Sequence, residues 1–398
     1  MTEPLQRSVV VDCGSGVCRA GFAGEDFPRT IFPSVVGRHR QLEASLLPAS
    51  DSRLYIGDEA LRNSGLLDLH FPIKRGLVTH WDEMETIWHH TMYTELCVDP
   101  NSSPVFVSEA PLTPKQHREH TTTMLFETFA VPSMFSQISA ALALYCSGRI
   151  TGLLVDSGEG ITHAVPIYEG YPMPHGVLRM DMGGIDITRF LHKTLEERGV
   201  KIPLSLEFDV LRDIKERLCF VSFDYERDIA VNPRTYPGAP AYQMPDGTVI
   251  PLERERIMCA ELLFRPQLLA PDGPAEGIDR VGLNSIMRCD EDVRTELFRN
   301  IVLCGGSTMF RGFPERVTRD IAAHAPPQSQ LRVVAPSERK YAAWIGGSIV
   351  ASLASFRAMW ITKAEYDEKP IMQAPSIRSL DALAAEATLA LVALARPA

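Results

Sequence analysis

Twice in this chain an apolar, strand-like run stops at an aspartate, enters a D-x-G-x-G turn and returns as a second apolar run. This repeated grammar constrains the fold more than any other feature. The first copy runs Ser8-Val9-Val10-Val11, then Asp12-Cys13-Gly14-Ser15-Gly16, then Val17 to Phe22. The second runs Gly152-Leu153-Leu154-Val155, then Asp156-Ser157-Gly158-Glu159-Gly160, then Ile161 to Ile167. Short apolar runs closed by glycine predict buried strands feeding tight turns. Glycine lets the backbone turn with its N–H groups facing inward, and such a concavity of amides is an anion site for which phosphate is the natural guest. An aspartate at each strand end suits a hydrated Mg2+, which prefers oxygen ligands and keeps several waters. One such turn alone is usually an ordinary hairpin; two copies point to loops that grip a phosphate chain from opposite sides.

A third glycine pair, Cys304-Gly305-Gly306-Ser307-Thr308-Met309, follows the apolar run from Asn300 to Leu303 and allows close backbone approach to a base or ribose. Arg19, seven residues after Asp12, is placed to reach a phosphate; a hydrogen bond of that charge-assisted kind contributes about 1.5–3 kcal/mol. Without the glycine loops it would read as a solvated arginine on a strand face. Helical spacing of apolar residues predicts helices over Trp81 to Leu96, Lys115 to Phe129, Pro132 to Cys146, Ile187 to Gly199 and Phe208 to Leu218. Strands and helices interleave, which favours α/β layers.

The chain has 398 residues, enough for two or three domains at roughly 100–200 residues each. Its 45% hydrophobic and 23% charged residues exclude wholesale disorder and a collagen-like repeat. Forty lysines and arginines against 50 aspartates and glutamates give a net charge of −10, which argues against a broadly cationic nucleic-acid binder. The eight cysteines are scattered without a C-x-x-C pair, so free thiols in a reducing compartment are expected. The start lacks a charged-then-apolar leader, and no run approaches the roughly 20 apolar residues of a membrane span. A soluble intracellular protein is the expectation. Surface loops are expected at 232–240 and 271–274, an irregular polar segment at 37–54, and an alanine- and leucine-rich terminal helix from Ser379 to Ala395 that is docked or frayed, with partner binding as the alternative.

Asp12 to Arg19, Ala20-Gly21-Phe22-Ala23-Gly24, Trp88-His89-His90, Tyr168-Glu169-Gly170-Tyr171, Asp213-Ile214-Lys215-Glu216, Glu338-Arg339-Lys340-Tyr341 and Trp344-Ile345-Gly346-Gly347-Ser348-Ile349 resemble actin, in order and at nearly actin's spacing, over about residues 8–368. The resemblance implies the actin-like ATPase fold: α/β, with two related lobes (four subdomains), each lobe built on a mixed five-stranded sheet, around a nucleotide cleft that holds ATP or ADP with Mg2+ or Ca2+. It places the first lobe at 1–146 plus 342–398, with an outer subdomain inserted at about 34–71. The second lobe falls at 147–341, with its insertion at about 183–273. By the same resemblance Asp12 and Asp156 organise the cation through water. Gly14, Ser15, Gly16 and Arg19 form the first phosphate loop, and Gly158, Glu159 and Gly160 the second. Gly184, Lys215, Glu216, Gly305, Gly306, Phe310 and Lys340 line the nucleoside pocket, and His163 lies near the attacking water. Tyr145, Gly148, Leu353 and Met359 fall where actin receives helices of its partners, although ordinary core packing explains those four equally well.

The departures bear on mechanism. Actin's water-positioning glutamine falls at Ser139, whose side chain is too short for that reach, while Gln137 is expected on a different face. Orienting water is a main protein contribution to phosphoryl transfer, so ATP binding with slow or negligible hydrolysis is expected. Cys13, Arg19 and Glu159 replace asparagine, lysine and aspartate; Lys74, Arg75 and Thr113 replace the groups near actin's phosphate exit, where Arg179 is retained. The acidic start, the loop at Gln41 to Leu54, the plug at Leu268 to Val281 and the ending after Glu368 also differ, and losing several complementary faces at once argues against unaided polymerisation.

The favoured reading is an actin-like, ATP-binding cytoplasmic protein of the cytoskeleton that acts as a structural or interaction component, at most a slow ATPase. Its expected partners are actin-binding or cytoskeletal proteins, actin itself included, with no direct nucleic-acid contact. Alternatives are a conventional filament-forming actin ATPase, an actin-related subunit of a nuclear chromatin-remodelling complex, and a small-molecule kinase sharing the two phosphate loops.

Overall fold

The computed structural model describes residues 7–40, 54–231, 241–269 and 276–368. The loops expected at 232–240 and 271–274, nearly all of the segment from Gln41 to Leu54 and the alanine-rich helix lie outside the described residues.

The valines of Val9–Cys13 are 0–1% exposed, and the strand pairs on both edges: antiparallel with Val17–Phe22 and parallel with Val105–Glu109. A strand with both faces and both edges covered has no use for polar alternation, which is why this run is continuously apolar. The sheet runs in the order Ile361–Thr362, Ser133–Ile138, Val105–Glu109, Val9–Cys13, Val17–Phe22, Thr30–Pro33.

A second sheet repeats the plan. Gly152–Ser157 pairs antiparallel with Thr162–Tyr168 and parallel with Ile301–Cys304. Tyr171–Pro172 and Leu178–Met180 extend it beyond Thr162–Tyr168, and Val333–Val334 beyond Ile301–Cys304. The register is equivalent in the two hairpins, with Asp12 opposite Arg19 and Asp156 opposite His163. Each sheet has six strands among the described residues rather than the expected five, the additions being short edge strands.

The helices Ser139–Cys146 and Ala342–Ser352 join the two sheets into one core. One buried cluster links Val10, Phe106 and Phe135 of the first sheet to Leu154, Val165 and Val302 of the second through Leu142, Leu144 and Trp344. The helices meet backbone to backbone, because a Cβ on Gly346 would collide with the Leu142 carbonyl. Only glycine permits that approach.

Four of the five expected helices form, with shifted ends. Trp81–His89 continues as a π-helical stretch His90–Glu95, and Lys115–Thr123 continues as Met124–Thr128. Gly184–Glu197 starts earlier than expected because Asp186 accepts a hydrogen bond from Gly183 N at 2.9 Å and closes the first turn. Leu204–Leu218 likewise starts four residues early, directly after Pro203. The expected helix from Pro132 to Cys146 is corrected: Ser133–Ile138 is a strand, and the helix begins at Ser139. Parallel pairing with Val105–Glu109 satisfies the backbone of this stretch and buries Met134, Phe135 and Gln137, so tertiary context overrides the local pattern.

Glu109, at the end of its strand, is held up to about 7 by burial, which Arg118 at 3.9 Å only partly offsets. A carboxyl whose folded value lies above its unfolded value contributes stability below the unfolded value and loses it as pH rises through the folded one. The thermal midpoint of Glu109→Gln should therefore rise relative to the parent between pH 5 and pH 8. Parallel curves would contradict this origin.

Candidate functional site

The two glycine turns are packed into each other. A Cβ on Gly16 would lie 2.7 Å from the Glu159 Cβ, and one on Gly160 would lie 2.5 Å from the Ser15 Oγ. Each turn thus uses a glycine to admit a side chain of the other, and the ends of the two central strands converge. Gly14 N bonds Val17 O and Gly158 N bonds Ile161 O, both at 3.0 Å, which closes the two mouths alike.

Asp12 is 8% exposed. It accepts hydrogen bonds from Ser108 Oγ at 2.5 Å and from Arg19 Nη1 at 2.9 Å. Asp156 lies close enough to feel it: burial first, then the Asp12 charge, pushes the Asp156 carboxyl up to about 6, against the pull of Arg19. A buried carboxyl whose proton affinity is raised by a neighbouring carboxylate marks a place where a cation is favoured. Among the described residues no cluster of three or more histidine, cysteine or acidic side chains could hold a metal directly. The neighbouring carboxyls of Asp12 and Asp156 fit a hard, largely hydrated cation that takes one or two carboxylates and completes its shell with water and phosphate oxygens.

His163 is 1% exposed, and its Nε2 is buried with no protein partner. Burial, followed by Arg179, lowers it to about 4, so the ring is neutral near pH 7. An orphaned buried ring nitrogen fits a site completed by water or ligand. Arg19 Nε is orphaned in the same way, and the guanidinium lies 5.8 Å from the centre of the Tyr341 ring.

Glu159 reaches toward Gly184, where a Cβ would collide with its carboxylate, and faces Lys215 Nζ at 3.4 Å. Lys215 is 6% exposed and also donates to Gly184 O at 3.1 Å. Gly184 N and Ile185 N bond the carbonyls of Gly158 and Glu159, each at 2.9 Å, which ties the start of the helix to the second turn. The third glycine turn joins them through Ser307 Oγ, which donates to Gly158 O at 2.8 Å. Gly305 adopts φ +89° against Ser157 and Asp156, Gly306 faces open space and Phe310 is buried. Lys340 pairs with Glu216 at 3.8 Å on a more exposed rim. The elements that carry the nucleoside candidates are thus bonded to the second turn or flank it, with Gly306 exposed beside them.

Ser139 stands half-buried at the first position of its helix. Gln137 lies on the preceding strand, and its Oε1 accepts from Ile138 N at 2.9 Å. Sequence reasoning missed Ser108 as a partner of Asp12; the signal was an apolar run, Val105 to Val107, ending at the same sheet edge. It also missed the link from Arg75 to the second turn. The Arg75 guanidinium donates to Gly160 O at 2.8 Å and pairs bidentately with Asp186, while Gly76 N donates to Ser15 Oγ at 3.0 Å. Arg179 donates to Arg75 O at 3.3 Å. One hairpin, Ile73 to Val78, therefore touches both glycine turns.

Against the expectation of eight free thiols, the structure sets the sulfurs of Cys13 and Cys18, facing partners across the first hairpin, within disulfide reach of each other. Cys97, Cys146, Cys219, Cys259, Cys289 and Cys304 are free. Of the four proposed partner-cleft residues, Tyr145 and Met359 are buried, and the Tyr145 hydroxyl donates to Gly170 O at 3.3 Å. Beside them a surface cleft of about 420 Å3 is lined by Glu25, Asp26, Phe27, Cys146, Ile345 and Ile349, among others.

Paired glycine hairpins at equivalent edges of two related sheets, with an acidic residue at the end of each first strand, define a mixed α/β protein of the actin-like ATPase class. A sequence-family model described as Actin matches residues 4–374 of the 398, and the chain belongs to the actin family. Among the described residues no helix is long and apolar enough to cross a membrane.

Proposed function

We propose that this chain is an ATP-binding actin-family protein that serves the cytoskeleton as a structural or interaction component, with weak or no hydrolysis and no autonomous polymerisation. The observation that carries the reading is the mutual packing of the two turns, Gly16 on Glu159 and Gly160 on Ser15, with Asp12 and Asp156 at their strand ends. ATP or ADP bound there would bring Mg2+ or Ca2+, which supplies charge neutralisation of the phosphates. Asp12 and Asp156 would hold the cation's waters. Gly14, Ser15, Gly16 and Arg19 on one side and Gly158, Glu159 and Gly160 on the other would hold the phosphates. Gly184, Lys215, Glu216, Gly305, Gly306, Phe310 and Lys340 would receive the nucleoside, and neutral His163 would accept or donate one hydrogen bond to water. The lobes follow as 1–146 with 342–398 and 147–341. The site of action is the cytoplasm, and the partners are cytoskeletal proteins, including actin.

Ser139 is the reason for weak hydrolysis. Its hydroxyl is shorter by two carbons than a glutamine amide, and Gln137 already uses its carbonyl oxygen on Ile138 N. Ser139→Gln should raise single-turnover ATP hydrolysis by at least about tenfold while leaving ATP affinity nearly unchanged, because water orientation acts on the reaction step. Unchanged hydrolysis in a variant that binds ATP would contradict the explanation. The function itself is tested by titrating the purified chain with ATP, with and without Mg2+, and then sedimenting the same sample. Mg2+-dependent binding without pelleting is expected. Pelleting would favour a filament-forming ATPase, and no binding would remove the proposal.

A further inference from the structure

The two hairpins share a register and the backbone bond that closes the turn, but they differ in the facing pair next to the aspartate. In the second, the facing pair one residue beyond the aspartate is Ser157 and Thr162; both are fully buried, and their hydroxyls bond each other at 2.8 Å. Thr162 Oγ1 also donates to Met182 O at 2.9 Å, so this clasp is anchored and non-covalent. In the first, the same register position is occupied by Cys13 and Cys18, whose sulfurs lie within disulfide reach, with Cα atoms 4.1 Å apart. Cys18 is 0% exposed, whereas Cys13 is partly accessible. One turn is therefore closed by a hydrogen bond that redox conditions leave alone, and the other by a bond that exists only when oxidised.

We propose that the Cys13–Cys18 pair is a redox clasp on the first glycine turn, so that oxidation holds Gly14–Val17 in its closed form and slows release of the nucleotide. This rests on the nucleotide-binding reading above. In the closing step the two thiols lose two electrons and two protons to a small-molecule disulfide such as glutathione disulfide. Cys13 Sγ, the accessible sulfur, first displaces one thiol from that oxidant. Cys18 Sγ then attacks Cys13 Sγ and releases the second thiol, so one S–S bond breaks as another forms. Reduction by a dithiol reverses the exchange. With the pair reduced, no covalent bond crosses the mouth beside the Gly14 N to Val17 O hydrogen bond seen in this structure, so the turn has more conformations to lose on binding.

The test uses the full chain equilibrated with glutathione disulfide or with dithiothreitol. Differential alkylation and peptide mass analysis should find Cys13 and Cys18 joined within one chain after oxidation and both alkylated after reduction. The other six cysteines should be alkylated in both states once the chain is denatured. Dissociation of a fluorescent ATP analogue, with Mg2+ present, should be slower in the oxidised form by about threefold to tenfold. The double variant Cys13→Ser, Cys18→Thr copies the hydroxyl pair of the second hairpin and should release the analogue at one rate in both conditions. Independent alkylation of Cys13 and Cys18 after oxidation overturns the inference, as does an off-rate that ignores redox state in the parent chain. Binding with identical off-rates overturns the inference alone, whereas no binding in either state overturns the nucleotide reading together with it.

Discussion

Asp156→Asn is expected to weaken ATP binding in the presence of Mg2+ by about tenfold to hundredfold, the loss typical of a hydrogen bond to a charged group. Affinity measured in chelator should change little. The substitution keeps the shape of the side chain at the end of Gly152–Ser157 and removes only the charge. Asp156 is costly to keep ionised without a counter-ion, since burial and Asp12 both raise its proton affinity. A cation relieves that cost, and the relief is what the variant gives up. Asp12→Asn should act in the same direction, with a further effect because Asp12 also holds Arg19 at 2.9 Å and accepts from Ser108. Isothermal titration of both variants with ATP in Mg2+ and in chelator checks this. Equal affinity of parent and variants in Mg2+ would contradict the cation assignment.

Trp344→Ala is expected to remove about 3–5 kcal/mol of stability, a large share of what a domain of this kind possesses. Trp344 is 0% exposed and lies in the cluster that joins the two sheets. Its Nε1 donates to Val10 O at 3.0 Å, and a Cβ on Gly21 would lie 2.7 Å from its ring. The indole therefore supports both strands of the first glycine hairpin from below, and its removal leaves a cavity under the candidate site as well as an unfilled carbonyl. Trp344→Phe, which retains most of the volume but not the N–H, should cost about 1–2 kcal/mol in the folded chain. Denaturant unfolding followed by circular dichroism measures both. An alanine variant within about 1 kcal/mol of the parent would show that the helix Ala342–Ser352 is not the support described.

The parts of the fold that were legible in the sequence are those where local pattern and tertiary role coincide. Val17–Phe22 forms with the expected ends because a glycine turn starts it and a hairpin partner is adjacent in sequence. The repeat was visible for the same reason, each copy being a self-contained hairpin. Ser133–Ile138 was not legible: its partner, Val105–Glu109, is distant in sequence, and its residues merge without punctuation into the helical Ala140-Ala141-Leu142 run. The candidate site divides the same way. Motifs name Asp12, Asp156 and the glycines, but the pairing of Cys13 with Cys18 depends on register across the turn, which cysteine spacing alone does not give. The contact between Arg75 and Asp186 spans 111 positions and follows from the fold alone.

The central claim is that the two interlocked turns hold a triphosphate between them. A crystal structure of the full chain grown with Mg2+ and a non-hydrolysable ATP analogue tests it most directly. Phosphate density is expected between Gly14–Gly16 and Gly158–Gly160, with the cation's waters on Asp12 and Asp156 and the base beside Gly306. Nucleotide bound elsewhere, or turns that remain packed together with no ligand between them at saturating analogue, would contradict it.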